Sequence, residues 1–379
     1  MKVAIIEPNL VDYTGHYYSF VSELKRGFEE LGDEVEVFLP KNSQTEIQGA
    51  KLFLPPIRSI QKKLKKLEGY FSFTKETLEF RKVIKFAQQK NDLIVVSTAE
   101  DKRILDALST IKIKIPVILY FHTLELFWDR KSKSIRLFEI FNRITKNNKS
   151  LYFLSAMDFE SAEINLHIPS NYKLYPRAPY PLNYPFRFIE GVSPERFLIA
   201  YLGAPAKQKN FQKLYEVIAS APEDFGFIVQ CNTPPGLKDP KILDLIKSLK
   251  EKRGEKVILL ESSLPKESYF SALKQSSIVW CLYDPNWYRG CISAILLEAW
   301  LLGKPVITTR GTWMAKQVEK FGGGLVFENL DTQEILRGIE RIRADYARFS
   351  AEAQAAGRIL YEKNNGLALA RFIKEVISK

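Results

Sequence analysis

At 379 residues the chain exceeds one ordinary hydrophobic core and reads as two domains of α/β size. With 46% hydrophobic and 26% charged residues the composition excludes a disordered chain, and no run reaches the roughly 18 apolar residues of a membrane span. The net charge of +12 points to anionic partners, nucleotide phosphates or acidic lipid headgroups. Nucleic acid is set aside, because the sequence holds no zinc-finger spacing, RNA-recognition signature or basic tail.

In chain order, Val3–Ile6 reads as a buried first strand rather than a signal peptide, followed by a polar loop, Glu7–Gly15. Helical spacing runs from His16 to Leu31 through Tyr17, Phe20, Val21, Leu24 and Phe28, and Gly32 stops it. Val35–Leu39 is the next strand, so the opening is a βαβ unit of nucleotide-binding type without the full G-x-G-x-x-G signature. Between Ile57 and Lys90, Arg58, Lys62, Lys63, Lys65 and Lys66 interleave with apolar residues. Such a helix either lies in an anionic membrane interface, through residues 57–73, or presents a solvated charged face over a buried stripe. Asp92–Ser97 and Pro116–Phe121 are buried strands, and the second runs into His122 at its carboxyl end, where such sheets bind ligands. His122 is either a ligand contact or a loop residue satisfied by backbone; His16 is either part of a site or a plain helix-start residue. A second basic patch, Arg130–Lys149, precedes the strand Leu151–Ser155, and His167 has no comparable context. The proline-rich stretch Tyr175–Pro194 is extended and marks the boundary between the domains.

The second half restarts with the strand Phe197–Leu202, Gly203, a loop to Lys209 and a helix, Asn210–Ala221. Strands follow at Phe227–Cys231 and Val257–Leu260, with helices at Pro240–Arg253 and Ser268–Gln275. Ile278–Tyr283 is a strand, Asp284–Gly290 a loop, Ile292–Leu302 a helix apolar almost all round, and Val306–Thr309 another strand. Glu298 is a carboxylate inside that apolar helix, so it either pairs within the protein or accepts hydrogen bonds from a ligand's hydroxyls. Glu334–Ile359 reads as one charged helix and Leu367–Ile377 as a final amphipathic one. Cys231, Cys281 and Cys291 carry no metal spacing and fit a reducing cytoplasm; the three histidines are too scattered for a metal site.

Leu297-Glu298-Ala299, Gly303, Pro305-Val306-Ile307, Gly311 and the glycines before Leu325 together resemble the donor-nucleotide motif of retaining GT-B glycosyltransferases. The resemblance implies an α/β fold of two Rossmann-like domains with parallel sheets facing across a cleft. It implies an acceptor-side domain over 1–185, a nucleotide-sugar domain over 195–360, and a last helix, 361–379, returning to the first domain. In that family the glutamate matched by Glu298 binds the ribose hydroxyls, and the Gly15–His16 loop faces the donor phosphates. His122 would contact the transferred sugar. Backbone at Ser263 and Leu264 would meet the base. Gly203, Lys209 and Asn210 are similar to the family's diphosphate-binding segment, in which Lys209 matches the lysine. Two positions depart from the pattern: the partner arginine reads Ala204, and the first glutamate of E-x7-E reads Gly290. Arg289 and the amides of Gly290, Cys291, Ile292 and Ser293 stand where a substitute for those groups would be. The implied activity is metal-independent transfer of a sugar, with retention, from a nucleotide-sugar to a hydroxyl acceptor that is a glycan, a lipid-linked or a small molecule. No cofactor is implied beyond the nucleotide-sugar substrate, and the implied location is cytoplasmic, peripheral to a membrane. A sugar-nucleotide epimerase of the same fold and a non-catalytic partner protein are the alternatives.

Overall fold

Runs of β-branched residues too short for helices become parallel strands in both halves of the chain. The computed structural model describes residues 1–13, 16–55, 75–122, 142–146, 148, 150–158, 173–182, 196–232, 239–251, 256–262 and 264–379. The chain divides into two compact units, Met1–Asn183 with Asn364–Lys379, and Tyr184–Lys363. The division falls inside the proline-rich stretch, and the return to the first unit begins at Asn364 rather than at residue 361.

In the first unit, β1 (Lys2–Ile6), β2 (Glu34–Pro40), β3 (Ala50–Leu54), β4 (Leu93–Val96), β5 (Val117–Phe121), β6 (Leu151–Ser155) and β7 (Leu174–Tyr175) form one parallel sheet. Its order is β3-β2-β1-β4-β5-β6-β7. In the second unit, β8 (Leu198–Tyr201), β9 (Gly226–Gln230), β10 (Val257–Leu260), β11 (Ile278–Cys281), β12 (Val306–Thr309) and β13 (Gly324–Phe327) are also all parallel, in the order β10-β9-β8-β11-β12-β13. Strand order reverses between β1 and β4 in one sheet and between β8 and β11 in the other. Crevices at the carboxyl ends of such strand pairs are where open α/β sheets bind ligands.

The helices are α1 (Tyr17–Glu30), α2 (Lys75–Lys90), α3 (Lys102–Leu108), α4 (Phe211–Ser220), α5 (Pro240–Glu251), α6 (Lys266–Gln275), α7 (Pro285–Tyr288), α8 (Ala294–Leu301), α9 (Trp313–Phe321), α10 (Thr332–Ala344), α11 (Tyr346–Lys363) and α12 (Gly366–Ser378). Two differ from the sequence expectation. The expected loop at 284–290 contains the single turn α7, because Asp284 accepts from the Asn286 amide at 2.9 Å and Pro285 supplies a helical φ at the first position. The expected single helix over Glu334–Ile359 is two, broken at Asp345 (φ −125°), whose carboxylate takes the Arg348 Nε hydrogen bond at 2.6 Å. Strand β3 and helices α3 and α9 are additions to the sequence expectation.

Helix α12 belongs to the first unit and lies against α1 at backbone distance. A Cβ placed on Gly27 would sit 2.1 Å from the Gly366 carbonyl oxygen. Asn365 caps α12 by accepting from the Ala368 amide at 2.8 Å, and Lys374 Nζ pairs with Asp33 at 2.7 Å. Alanine in mid-helix is favoured over glycine by about 1 kcal/mol, but a backbone contact cannot yield as a flexible side chain would. Gly27→Ala should therefore destabilise the protein by about 2 kcal/mol or more in urea unfolding. An unchanged or higher unfolding midpoint would show that α1 and α12 do not pack this closely.

Candidate functional site

Each switch point carries its own group of polar side chains. In the first unit, β1 ends in Glu7, which is fully buried. Its Oε1 accepts from the Asn9 amide at 2.7 Å, and its Oε2 accepts from Ser97 Oγ at 2.8 Å and Thr98 Oγ1 at 2.6 Å, both at the end of β4. Burial outweighs these donors and raises the Glu7 pKa to about 7. Sequence reasoning passed over Glu7 as part of a polar loop. Its only signal was a carboxylate directly after an unbroken apolar strand.

His122, one residue beyond β5, is tied to the same place. Its Nε2 lies 2.8 Å from the Ser97 carbonyl oxygen. A carbonyl only accepts, so Nε2 carries the proton and Nδ1 is a bare acceptor. That Nδ1 is buried without a partner among the described residues, as is Nε2 of His16, the residue that opens α1. The two imidazoles are 4.3 Å apart between ring centroids, walled by Phe20, Tyr120 and Tyr180. Burial pushes the His16 pKa down to about 4 and, with His16 adding to the effect, pushes His122 well below the usual histidine range. Both rings are neutral near pH 7. The structure thus brings His16 and His122 together; Gly15 lies outside the described residues.

In the second unit, β8 runs into Gly203, whose φ of +103° is one that side-chain-bearing residues avoid. Its amide donates to Gln230 Oε1 at 2.7 Å. A turn of 3-10 helix at Lys207–Lys209 then brings the Lys209 ammonium back against this glycine, where a Cβ would stand 2.7 Å from Nζ. The turn is stitched to the loop after β11: Asn210 Nδ2 donates to the Leu282 carbonyl at 2.7 Å and the Asp284 amide to the Gln208 carbonyl at 2.9 Å. Lys209 Nζ lies 5.6 Å from the centre of the Tyr283 ring, which packs on Tyr288 of α7 at 4.6 Å. Among the described residues the ammonium has no hydrogen-bond acceptor and no counter-ion. Burial lowers its pKa, and the neighbouring Cys281 opposes that only in part.

Arg289 follows α7; it is exposed and forms no ion pair among the described residues. Gly290, Cys291, Ile292 and Ser293 lead from it into α8. Cys291 Sγ donates to the Trp287 carbonyl at 3.4 Å. The Ser293 hydroxyl makes no capping bond, so it leaves the first-turn amides of α8 open to an external acceptor. Glu298, in the second turn of α8, accepts from Tyr269 Oη of α6 at 2.5 Å. Its partner is therefore a tyrosine hydroxyl, neither backbone nor arginine. Burial raises its pKa to about 7 against that hydrogen bond and the Lys266 charge. Leu264 stands just before Pro265, which opens the helix carrying Tyr269. Ser263, the basic segment 57–73, most of the patch 130–149 and His167 lie outside the described residues. Among those described, no group of three or more His, Cys, Asp or Glu could hold a metal ion, and no helix is long and apolar enough to cross a membrane.

No protein-family model matches the chain, and no curated protein is similar to it in sequence. Solved structures do match. Sucrose-phosphate synthase (tll1590) from Thermosynechococcus elongatus superposes with a TM-score of 0.70 at 15% identity, over 99% of this chain and 98% of that one. Anabaena Alr3699/HepE, in complex with UDP-glucose, gives 0.69 at 13% identity over 100% and 99%. WaaG, a glycosyltransferase involved in lipopolysaccharide biosynthesis, gives 0.63 at 15% over 99% of both chains. These structure neighbours are GT-B glycosyltransferases, and the chain has the GT-B fold. At such identities the likeness is one of fold.

Glu298 makes stability depend on pH in a defined direction. In the folded chain burial keeps its proton on up to about pH 7, while an unfolded glutamate loses it near pH 4.5. Between those values the folded state binds more protons, so this contribution to stability falls as pH rises. Glutamine at this position still accepts from Tyr269 but does not ionise. Between about pH 5 and 8 the stability difference should move in favour of Glu298→Gln by roughly 2 kcal/mol, discounted for partial exposure. Denaturant titrations at the two pH values measure it, and parallel behaviour of the two proteins would place Glu298 in ordinary solvent.

Proposed function

We propose that the chain is a glycosyltransferase that moves a sugar from a nucleotide-sugar donor to a hydroxyl acceptor. The observation that carries the reading is the desolvated Lys209 ammonium, held against Gly203 at the β8–β11 switch point with no anion of its own. A diphosphate supplies that anion, and Gly203 has no side chain to keep it away. As the glycosidic bond breaks, the leaving nucleoside diphosphate gains negative charge. Groups placed to meet that charge lower the barrier more than they improve ground-state binding. Lys209, Arg289 and the amides entering α8 fill this role, so the reading takes transfer to need no metal ion. Arg289 would replace the family arginine missing at Ala204; being exposed and unpaired, it is free to fold onto a bound diphosphate.

Glu298 would accept from the ribose hydroxyls, sharing its carboxylate with Tyr269. His122, whose Nδ1 can only accept, suits a sugar hydroxyl rather than a phosphate oxygen. We also read the reaction as retaining and hexosyl, and the protein as cytoplasmic, its three cysteines being free and buried. The lysines of 57–73 support an anionic membrane surface and a lipid-linked acceptor.

Incubation with UDP-, GDP- and ADP-sugars tests the reading directly, by release of nucleoside diphosphate with transfer to an added acceptor. Absence of turnover and of thermal stabilisation with all three donors would overturn it. Given turnover, Lys209→Ala and Arg289→Ala should each lower kcat by roughly 10²–10³, with a smaller effect on donor affinity, and chelation by EDTA should change nothing. Near-wild-type kcat for Arg289→Ala would remove that residue from the site while leaving the Lys209 argument intact. Substitution of Lys62, Lys63, Lys65 and Lys66 by Glu should release the protein from anionic liposomes at low salt. A wild-type protein that does not co-sediment with them has a soluble acceptor.

A further inference from the structure

Ser97 touches both a carboxylate and an imidazole. It is fully buried; its hydroxyl donates to Glu7 Oε2 at 2.8 Å while its carbonyl accepts from His122 Nε2 at 2.8 Å. The same hydroxyl has a second acceptor at hand, the Ile6 carbonyl at 3.2 Å. Glu7 in turn joins the ends of β1 and β4, through Ser97 and Thr98, to the loop that leads to His16, through Asn9. We propose that Glu7 is a positioning residue for His122, acting through Ser97, and that gain or loss of its proton resets the orientation of that ring. The inference rests on the reading of His122 as a contact to the donor sugar.

The donor count explains why the two states differ. An ionised carboxylate only accepts, and its three neighbours here all donate to it. A protonated one must also donate. The Asn9 amide cannot accept, so a hydroxyl has to turn. Ser97 is the one with the Ile6 carbonyl to turn to, and its own carbonyl holds His122. Burial puts the Glu7 pKa at about 7, so both states are populated near neutral pH.

The surrounding charges permit a clean reading. Asp101, at the start of α3, acts on Glu7 and is ion-paired with Arg103. Tyr17 of α1 is pushed up to about 12 by burial, then by Glu7 and Glu100, and stays neutral. His16, down to about 4, and His122, held well below its usual range, gain no proton between about pH 6 and 8. A change in the His122 ring across that range therefore reports a neighbour. Glu100 and Asp101 are the other carboxylates in this group, and substitution of Glu7 separates its effect from theirs.

The test is long-range proton–nitrogen correlation of the histidine rings in the full chain, whose three histidines give a readable spectrum. In the wild-type protein the His122 nitrogens should shift with a midpoint near 7 while keeping neutral-ring values, because Glu7 titrates there. In Glu7→Gln the shifts should be flat with pH. In Ser97→Ala, which keeps the backbone carbonyl but loses the hydroxyl, they should be flat as well. A flat wild-type profile, or an unchanged midpoint in Glu7→Gln, overturns the proposal. If Glu7→Gln does not fold, a wild-type midpoint persisting in Ser97→Ala overturns it equally. With UDP-glucose as the probe, wild-type kcat should fall about tenfold from pH 8 to pH 6, as a group of pKa near 7 dictates, with KM little changed, and Glu7→Gln should lose that slope. Absence of all sugar transfer would overturn the glycosyltransferase reading alone, since the ring spectra decide the role of Glu7 without it.

Discussion

A strand buried on both faces cannot carry charge along its length, and this constraint places the chemistry of the molecule. β1, β4, β5, β8, β11 and β12 are buried at every residue, β1 excepting only its exposed first residue. Their sequences are accordingly continuous apolar runs rather than alternating ones. The charged or imidazole side chains of the candidate site stand beyond the carboxyl ends of these strands, while the buried residues of the strands themselves hold only neutral polar groups, such as those of Tyr120, Cys281 and Thr308. Glu7 follows β1, Ser97 and Thr98 follow β4, His122 follows β5, and Lys209 returns to the end of β8. Chain reversal between β1 and β4, and between β8 and β11, leaves room there for a ligand.

That same position dictates how the groups titrate. Those nearest the sheets are desolvated, and each shifts toward its neutral form: Glu7 and Glu298 upward, His16, His122 and Lys209 downward. Donors around Glu7 and Glu298 reduce the shift without cancelling it. Lys209 has no such help. Its electrostatic relief among the described residues is the face of the Tyr283 ring and Cys281, a thiol that burial itself pushes up to about 12. A buried lysine in this condition gains more from an incoming anion than a solvated one, because water was not already meeting its charge.

Much of this was legible in the sequence because it depended on local pattern. The runs at Val3–Ile6, Pro116–Phe121, Val257–Leu260 and Val306–Thr309 became strands within a residue or so of their expected limits. Gly32 and Gly303 stopped helices where their positive φ was needed. The GT-B fold was implied by the resemblance of the glycine, proline and glutamate motif around Glu298 to that family's. What the sequence could not disclose were pairings between distant residues. Glu7 and Thr98 are 91 positions apart, and Tyr269 and Glu298 are 29 apart. No periodicity announces either one. The α7 turn and the break at Asp345 were missed for another reason: each turns on a single aspartate, Asp284 capping α7 through the Asn286 amide and Asp345 leaving helical φ between α10 and α11, and one residue competes weakly with the character of its surroundings.

The two departures from the family pattern are better understood together than separately. The sequence carries alanine at 204 where the resembled motif has an arginine, and glycine at 290 where it has a glutamate, so one cation and one anion are absent. Net local charge therefore stays nearly the same, while both groups become smaller. Lys209 lies close against Gly203, and Gly290 brings no side chain to the step between Arg289 and α8. Tyr283 and Tyr288 then fill space beside the ammonium, their rings 4.6 Å apart. Aromatic rings screen a cation far less than a carboxylate does, since they offer a quadrupole rather than a charge. Lys209 beside Tyr283 and the exposed Arg289 before α8 are both cations, although the arginine and first glutamate of the resembled motif are absent.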